Sequence, residues 1–515
     1  MKRPDRLAVG RVVATWWLPT VIACAVGALY VCYSVAQWRA LVVPSWDLGI
    51  FAEAVQAYSR FEAPIVPIKG PGYNLLGDHF HPILALLGPV YRLFPSALTL
   101  LVVQDVLIAA SVVPVARLAQ RLLGRGGALL VGLVYGLGWG LQGAVGAQFH
   151  EVCVAVPLLA AGGVAFVERR WGACMAWLAP LALVKEDLGL TVFMAGLAIA
   201  WRGRGEGRPA VLRGLAYALF GIVAFVVTVK VLLPAMNPAG TWAYSLDGSA
   251  TGAGSPMDGS TAAREVPSLW DILTTPSVKL ATLLVLLAGA GFVGASSPWF
   301  ALVLPTLAWR FAGSVEAYYV WDSWHYNAVL VPIAACSLLD VINRWCEPER
   351  ASRSASASAL AEAVGEDALN DLRTDHVATA SATRRRRAAA WAVACVPALS
   401  LAITASALPL WQLPTLTEDP RMAAAQGALD AVPEGASVET DTTLLARLVP
   451  GREVYWVGTS GTMDTPPEYV VIDVRSYAWG GQHVDAESWG SAAHPGHTYE
   501  TIYSKAGFRV ARRTS

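Results

Sequence analysis

MKRPDRLAVGRVVATWWLPTVIACAVGALYVCYSVAQW (Met1–Trp38) opens with Lys2, Arg3, Arg6 and Arg11 and then runs apolar. A hydrocarbon core about 30 Å thick is crossed by about 20 apolar residues in a helix. The apolar part here is too long for a signal-peptide core, and no small-residue cleavage site follows it. It reads as an uncleaved first span. Further along the chain, apolar runs of about 15 to 25 residues recur, each near the length of a crossing. The 515 residues are 55% hydrophobic and only 15% charged, with a mean hydropathy of +0.47. That composition excludes an ordinary soluble domain. The formal net charge of zero gives no reason to expect a nucleic-acid partner. The seven cysteines all fall in or beside apolar runs, so no disulfide framework is expected.

The basic residues set the orientation. Besides the first four, they gather at Arg117, Arg121 and Arg125, at Arg169 and Arg170, in WRGRGEGRPAVLRG (Trp201–Gly214), and in the RRRR of Arg384–Arg387. Placing every one of these in the cytoplasm gives a single consistent threading under the positive-inside rule. About eleven spans follow. They lie at 12–35, 98–117, 127–147, 152–168, 171–184, 188–201, 213–235, 277–296, 299–313, 326–345 and 388–409. The expected protein is a polytopic α-helical bundle of the plasma membrane over 1–345, with the N-terminus cytoplasmic and the C-terminus outside.

Three polar regions interrupt the apolar pattern. The first outer loop, 36–82, contains SWDLGIFAEAVQAYSRF (Ser45–Phe61). Ser45 can cap a helix whose Leu48, Phe51, Ala52 and Val55 share one face, as in a helix lying along the membrane surface. The second region, 237–276, is rich in Gly, Ser and Thr and reads as a mobile outer loop. The third, 346–387, has no apolar period and reads as a disordered cytoplasmic linker.

After the last span, residues 418–515 have the composition of a small extracytoplasmic α/β domain. Asp419 and Pro420 occupy the N-cap and first positions of an expected helix. ASVET, EVYWVG and EYVVIDV are strand-like, with TTLLARLV a helix between the first two. No nucleotide-binding glycine motif occurs. Asp441, Asp473 and Asp485 fit strand ends and turns, and His483, His494 and His497 share a Gly-rich loop.

A second stretch points to chemistry. NLLGDHFHPILALL (Asn74–Leu87) sets Asp78, His79 and His81 against the start of an apolar run, in a chain with eight histidines in all. The threading brings Asp47, the His150–Glu151 pair, the Lys185–Glu186–Asp187 triplet and the His325–Tyr326 pair to the same outer level. Charge near hydrocarbon costs on the order of 2–3 kcal/mol per group, so their gathering at one depth marks a candidate site. Taken singly, each also fits a cap, a turn or a structural ion pair. Arg92, Lys185, Lys230 and Arg310 lie near outer helix ends, against the positive-inside bias. They could hold a phosphate or equally snorkel to membrane lipids. His79, His81 and His150 could hold a divalent metal ion if the backbone there is not helical, and that donor set suits Zn or Mn better than Mg.

WDLGIFAEAV, NLLGDHFHPILALLGPVYRLFPSALTLLVVQ, QFHE and LVKEDLGL occur in the order found in the predicted-membrane-protein family known as domain of unknown function 2079. The resemblance covers about residues 40 to 345 and extends to the GT-C glycosyltransferase superfamily with which that family is grouped. The chain departs from the family pattern at His81, where Ser is frequent, and at Gln148, where an acid is frequent. The resemblance implies a GT-C-like bundle that moves a sugar from a polyprenyl-phosphate donor to an acceptor on the outer face. Asp47 matches the acid of the first outer loop, and so is the expected general base, with Glu186 or Asp187 as the second choice. Lys185, Arg310, His325, Tyr326 and Arg92 are then the expected substrate-binding residues. Two other classes compete: a transporter, and a non-catalytic lipid-binding or scaffold protein. No internal repeat favours the transporter, and the ionisable cluster sits at one edge instead of the midplane.

Overall fold

The chain begins with α1 (Arg6–Arg39), which contains the first expected span, and α2 (Asp47–Ser59), the helix of the first loop. A short α3 (Gly88–Leu93) precedes α4 (Ala97–Gly136), α5 (Trp139–Gly146), α6 (Val152–Val167) and α7 (Trp171–Leu178). Next come α8 (Leu188–Arg202), α9 (Arg208–Val227), α10 (Leu233–Met236), α11 (Leu269–Thr274), α12 (Val278–Gly289) and α13 (Val303–Ala312). Two long helices, α14 (Leu330–Glu362) and α15 (Glu366–Thr404), complete the helical part. This computed structural model describes residues 6–237, 269–313, 315–362 and 366–514. Most of the expected mobile loop, 238–268, lies outside the described residues.

Among the described residues, five helices are long and apolar enough to cross a membrane, against the eleven spans expected. They are Trp16–Arg39, Ala97–Gly146, Arg208–Met236, His325–Cys346 and Arg384–Ala407. The shortfall has two physical causes. First, the expected spans at 152–168, 188–201, 277–296 and 299–313 form helices of 16, 15, 12 and 10 residues. All are shorter than a crossing needs. The expected span at 171–184 tightens into a 3-10 turn after Leu178. Second, the spans expected at 98–117 and 127–147 share one continuous helical run. Gly124 adopts φ 80° within it, and the chain folds back there. The hydroxyls of Ser111 and Tyr135 stand 2.8 Å apart across the fold, and a Cβ on Gly132 would lie 2.9 Å from the Ala116 methyl. The two arms therefore run antiparallel in close contact. The chain is a multi-pass membrane protein.

Small residues set the other tight pair, α8 and α9. A Cβ on Gly196 would lie 2.3 Å from the Ala218 nitrogen, so only glycine lets these backbones approach so closely. The segment 346–387, expected to be disordered, continues as backbone helix in α14 and α15, except for 363–365, which lie outside the described residues. Its many alanines and arginines are strong helix formers, which the lack of an apolar period concealed.

The C-terminal unit is α/β, as expected. It comprises α16 (Met422–Asp430), β1 (Ser437–Thr440), α17 (Thr442–Leu448), β2 (Glu453–Trp456), β3 (Tyr469–Asp473), α18 (Ala486–Ala493), β4 (Tyr499–Lys505) and β5 (Phe508–Arg513). The strand order is β2-β1-β3-β5-β4, with β1 parallel to both β2 and β3 and the β4–β5 hairpin antiparallel. The first helix starts at Met422 instead of at Pro420, because the Asp419 carboxylate accepts the Arg421 amide and clamps its guanidinium.

The largest departure concerns α2. It was expected to lie on the membrane surface, yet Leu48 through Val55 are all buried, Glu53 included. One apolar core joins Leu48 and Phe51 of α2 to Leu100 and Leu101 of α4 on one side, and to Leu445, Leu448 and Val471 of the C-terminal unit on the other. The helix is a central beam between bundle and C-terminal unit. The exposed apolar edge is instead formed by Phe61, Leu86, Leu93 and Phe94, around α3.

Candidate functional site

Asp47 is the first residue of α2. The Ser45 hydroxyl donates to Asp47 Oδ2 at 2.7 Å, and α2 has no side-chain cap. Ser45 Oγ also accepts the Asp47 amide at 3.3 Å, so the expected contact of Ser45 with the helix start is made at Asp47 itself, one residue past the N-cap position. Opposite stands His150, in the sharp turn between α5 and α6. Gln148 adopts φ 70° there, a left-handed conformation held by three hydrogen bonds. Gln104 of α4 donates Nε2 to the Ala144 and Gln148 carbonyls at 3.2 and 3.0 Å, and its Oε1 accepts the His150 amide at 3.1 Å. Gln148 in turn donates to the Val42 carbonyl at 2.9 Å, which ties this turn to the loop leading into α2. His150 Nδ1 lies 3.2 Å from the Gln148 carbonyl, to which it can donate, and Nε2 faces Asp47 Oδ2 at 3.4 Å.

The His150 ring stacks on His325, with centroids 3.6 Å apart. His325 and Tyr326 belong to a 3-10 turn, His325–Asn327, that lies against α5. That contact exists because α5 carries glycines. A Cβ on Gly140 would fall 2.5 Å from the Asn327 carbonyl oxygen, and one on Gly143 2.8 Å from that of Trp324. Arg310 of α13 holds the turn from the other side. Its guanidinium donates to the Tyr318 carbonyl, to the Tyr326 carbonyl at 3.1 Å and to Asn327 Oδ1 at 2.7 Å.

A second group adjoins the first. Lys185 Nζ donates to Glu151 Oε1 at 2.8 Å. His79 Nδ1 meets Glu186 Oε1 at 2.8 Å, and Glu186 Oε2 accepts the Phe80 amide at 3.1 Å. Asp187 Oδ2 accepts the Trp309 indole N–H at 3.0 Å, and Asp78 pairs with Lys69. The motifs GDHFHP and VKEDLG, more than a hundred residues apart in sequence, are therefore joined directly. His81 packs edge-on against Phe51 with its ring centroid 5.6 Å away.

Burial and charge work against each other throughout this cluster. Burial pushes the Asp47 carboxyl up, but hydrogen bonds and charge from His150, with help from Ser45, bring it below its ordinary value. Burial likewise raises Glu151, yet Lys185, His150 and His81 pull it down to about 2. Lys185 is pushed down by burial and carried well above its usual value by Glu151, Glu186 and Asp187. Asp187 rises to about 6, chiefly through burial against the pull of Lys185, and Glu186 adds to the rise. His81 falls to about 4 because it is buried, so it is neutral at ordinary pH.

The Asp47 side chain is 32% exposed, while Glu151 and Glu186 are sealed against their partners at 3%. Asp47 can therefore meet a substrate. Glu186 reaches one only by giving up His79 or the Phe80 amide, whereas Asp187 keeps its Oδ1, buried and without a hydrogen-bond partner, beside the bond to Trp309. Lys185 keeps two donors beyond its bond to Glu151, whereas Arg310 is committed to the turn it supports. Arg92 stands apart on α3, exposed, near the Ser59 carbonyl at 3.4 Å. Among the described residues, no three His, Cys, Asp or Glu side chains are placed to share a metal ion. His79 is engaged by Glu186 and His81 packs on Phe51, so the three histidines expected as ligands do not converge.

Some of the machinery carries no sequence signal of its own. Gln104 and Trp309 lie in apolar helices, and only their partners reveal them. The C-terminal unit also reaches the site: Trp46, just before Asp47, meets Trp456 edge-on at 5.5 Å.

None of the curated proteins is similar enough to match the chain. Nine chains among the solved structures match. One is the crystal structure of ArnT from Cupriavidus metallidurans bound to undecaprenyl phosphate, which is 13% identical and aligns over 95% of this chain and 97% of that one with a TM-score of 0.45. A likeness that loose assigns nothing to this chain. Over residues 38–510 the sequence matches the family described as predicted membrane protein (DUF2079), and the chain belongs to that family.

Proposed function

We propose that this protein is a GT-C-type glycosyltransferase that moves a sugar from a polyprenyl-phosphate donor to a hydroxyl acceptor at the outer face of the plasma membrane. The observation that carries this reading is the environment of Asp47. It is an ionised, accessible carboxylate at the membrane edge, oriented by Ser45 and by a histidine whose other nitrogen is fixed on a carbonyl. In the reaction, the acceptor oxygen attacks the anomeric carbon of the donor, and its proton passes to Asp47. The bond from that carbon to the phosphate oxygen breaks, and its electron pair leaves with the polyprenyl phosphate. The new glycosidic bond forms on the opposite face of the sugar, so the configuration inverts. Lys185 is the cation that remains able to meet the departing phosphate, since Glu151 uses only one of its donors. His325 and Tyr326, held by Arg310, shape the wall beside His150. The order of the motifs around Asp47, His150 and Lys185, which resembles that of the GT-C-related family, supports the same reading.

The test uses the purified protein in lipid nanodiscs with a panel of polyprenyl-phosphate sugars and labelled acceptors. Transfer is expected from at least one donor, and Asp47→Asn is expected to lower its rate by about 10²- to 10⁴-fold, the range typical of a lost general base. No transfer from any donor by the wild type, or a rate untouched by Asp47→Asn, would overturn the reading.

A further inference from the structure

The helix α6 has His150 and Glu151 of the candidate site just before its first turn, and Glu168, Arg169 and Arg170 just after its last. Its 16 residues separate the two groups by about 24 Å. At the far end, a cavity of about 660 Å³ opens between the turn that follows α6, the first arm of α4 and the end of α14. Arg121, Arg169, Arg170 and Glu168 are its charged walls, and Leu118, Leu122 and Val167 its apolar floor. Asn343 of α14 closes the third side, with Nδ2 3.4 Å from the Val167 carbonyl. Glu168 is shared: one oxygen pairs with Arg121, and the other lies 3.3 Å from Arg170 Nε. Glu206 comes within 3.5 Å of Arg169. Three guanidiniums against two carboxylates leave the cavity positive. The three arginine side chains are between 42% and 60% exposed, open to a ligand.

Aromatic rings mark the level at which this cavity lies. Trp16, Trp17 and Trp201 are exposed, and each has a guanidinium over its ring: Arg117 at 3.8 Å, Arg125 at 6.0 Å and Arg204 at 3.5 Å from the centroid. Arg117 is one turn before Arg121 on α4, and Arg204 is two residues from Glu206. Exposed tryptophans joined to arginines are the pattern of the headgroup layer, and the positive-inside threading puts this layer on the cytoplasmic side. The same bias accounts for scattered arginines at such a level. It does not account for three that converge on one cavity with an apolar floor. The volume is within the range of ligand sites, about 300–1,000 Å³. A guanidinium suits phosphate oxygens because it presents several N–H donors in one plane, and Arg170 meets Glu168 through Nε, apart from its two Nη groups. A free phosphate has no use for the apolar floor, whereas a phospholipid brings glycerol and acyl chains to cover it.

We infer that this cavity is a binding site for an anionic phospholipid of the cytoplasmic leaflet, with its phosphate on Arg121, Arg169 and Arg170 and its glycerol on Leu118, Leu122 and Val167. The bound lipid joins α4, α6 and α14 at the ends opposite Gln104, His150 and the His325–Asn327 turn. It is a brace and not a substrate, and it is independent of the transferase reading, since no step of the transfer passes through it.

The test uses the full-length protein in a neutral detergent, titrated separately with phosphatidylglycerol, phosphatidylcholine and glycerol phosphate, with bound lipid read by native mass spectrometry. Phosphatidylglycerol is expected to bind, and phosphatidylcholine, whose ammonium meets the same guanidiniums, to bind more weakly. Arg170→Gln is expected to weaken phosphatidylglycerol about tenfold, the size of one charge-assisted hydrogen bond, while the Arg121–Glu168 pair still holds the turn. Arg204→Gln removes a charge from the same level outside the cavity and is expected to leave the affinity unchanged. An affinity untouched by Arg170→Gln, or lowered equally by both variants, would overturn the site. Glycerol phosphate displacing the lipid at equal concentration would overturn the lipid as occupant. Wild-type protein that melts cooperatively yet retains no phosphatidylglycerol would overturn the inference as a whole.

Discussion

Lys185 illustrates how this protein keeps charge in a buried cluster. A buried ammonium is costly to desolvate, and three acids close to it more than restore its charge. The bond to Glu151 makes the pair interdependent. Lys185→Met would leave Glu151 buried and unpaired, which costs about 3–5 kcal/mol. The double variant Lys185→Met with Glu151→Gln removes both charges and is expected to recover most of that loss. Thermal melting in nanodiscs, followed through the protein's own tryptophans, measures the difference. A single variant as stable as the double would show that Glu151 has another partner. At this scale the sequence was legible for identities and illegible for commitments. The positive-inside threading placed Asp47, His150, Lys185 and His325 on one level. It could not show that Arg310 spends its donors on the Tyr318 and Tyr326 carbonyls, because irregular turns leave no period to read.

Among the elements, α5 and the His325–Asn327 turn form the joint on which the histidine stack depends. Gly140 is required there by contact with backbone, which cannot move aside as a side-chain tip can. Gly140→Ala is expected to push Asn327 away, loosen its bond to Arg310 and separate His325 from His150. Overpacking of this kind costs about 1–3 kcal/mol, and in a transfer assay it should lower the rate more than the stability loss alone explains. A variant with wild-type melting and wild-type rate would show that the turn shifts freely. The same glycines interrupt the apolar run YGLGWGLQGAVG (Tyr135–Gly146), and their use there is to admit a neighbour. The 3.6-residue period located nearly every helix but not which of them cross, because length and burial inside the bundle decide that. Among the strands, the β4–β5 hairpin went unseen. Its two-residue turn, Ala506–Gly507, has positive φ at both positions, yet Ala-Gly is not a pair that announces such a turn.

For the whole molecule, the decisive fact is that α2 is buried on both sides, so that the C-terminal unit and the bundle share one core. Glu53 is the polar pin of that joint. Its carboxylate accepts the Ile68 amide at 3.1 Å and is also bonded by the Val454 amide of β2. Burial raises it well above the ordinary carboxylate value, the two amides oppose the rise, and Glu453 adds to it. The sign follows from that direction. The folded state binds the proton more tightly than the unfolded state does, so the contribution to stability is complete below about pH 4.5, the unfolded value, and is lost as pH rises through the folded value. Glu53→Gln keeps an oxygen for the amides and cannot ionise. Its melting temperature relative to wild type is therefore expected to increase from pH 5 to pH 9. Glu53→Ala, which leaves the amides of Ile68 and Val454 unpaired, is expected to melt lower than Glu53→Gln at every pH, by an amount matching about 1–3 kcal/mol for a buried group without a partner. If the Gln variant and the wild type keep a constant difference across that range, Glu53 does not titrate in the folded joint. Hydrogen exchange at Ile68 and Val454 would then show whether the C-terminal unit opens away from α2 on its own. If it does open, Trp456 moves away from Trp46 beside Asp47 each time, and the rate of transfer should fall in step with exchange at those two amides.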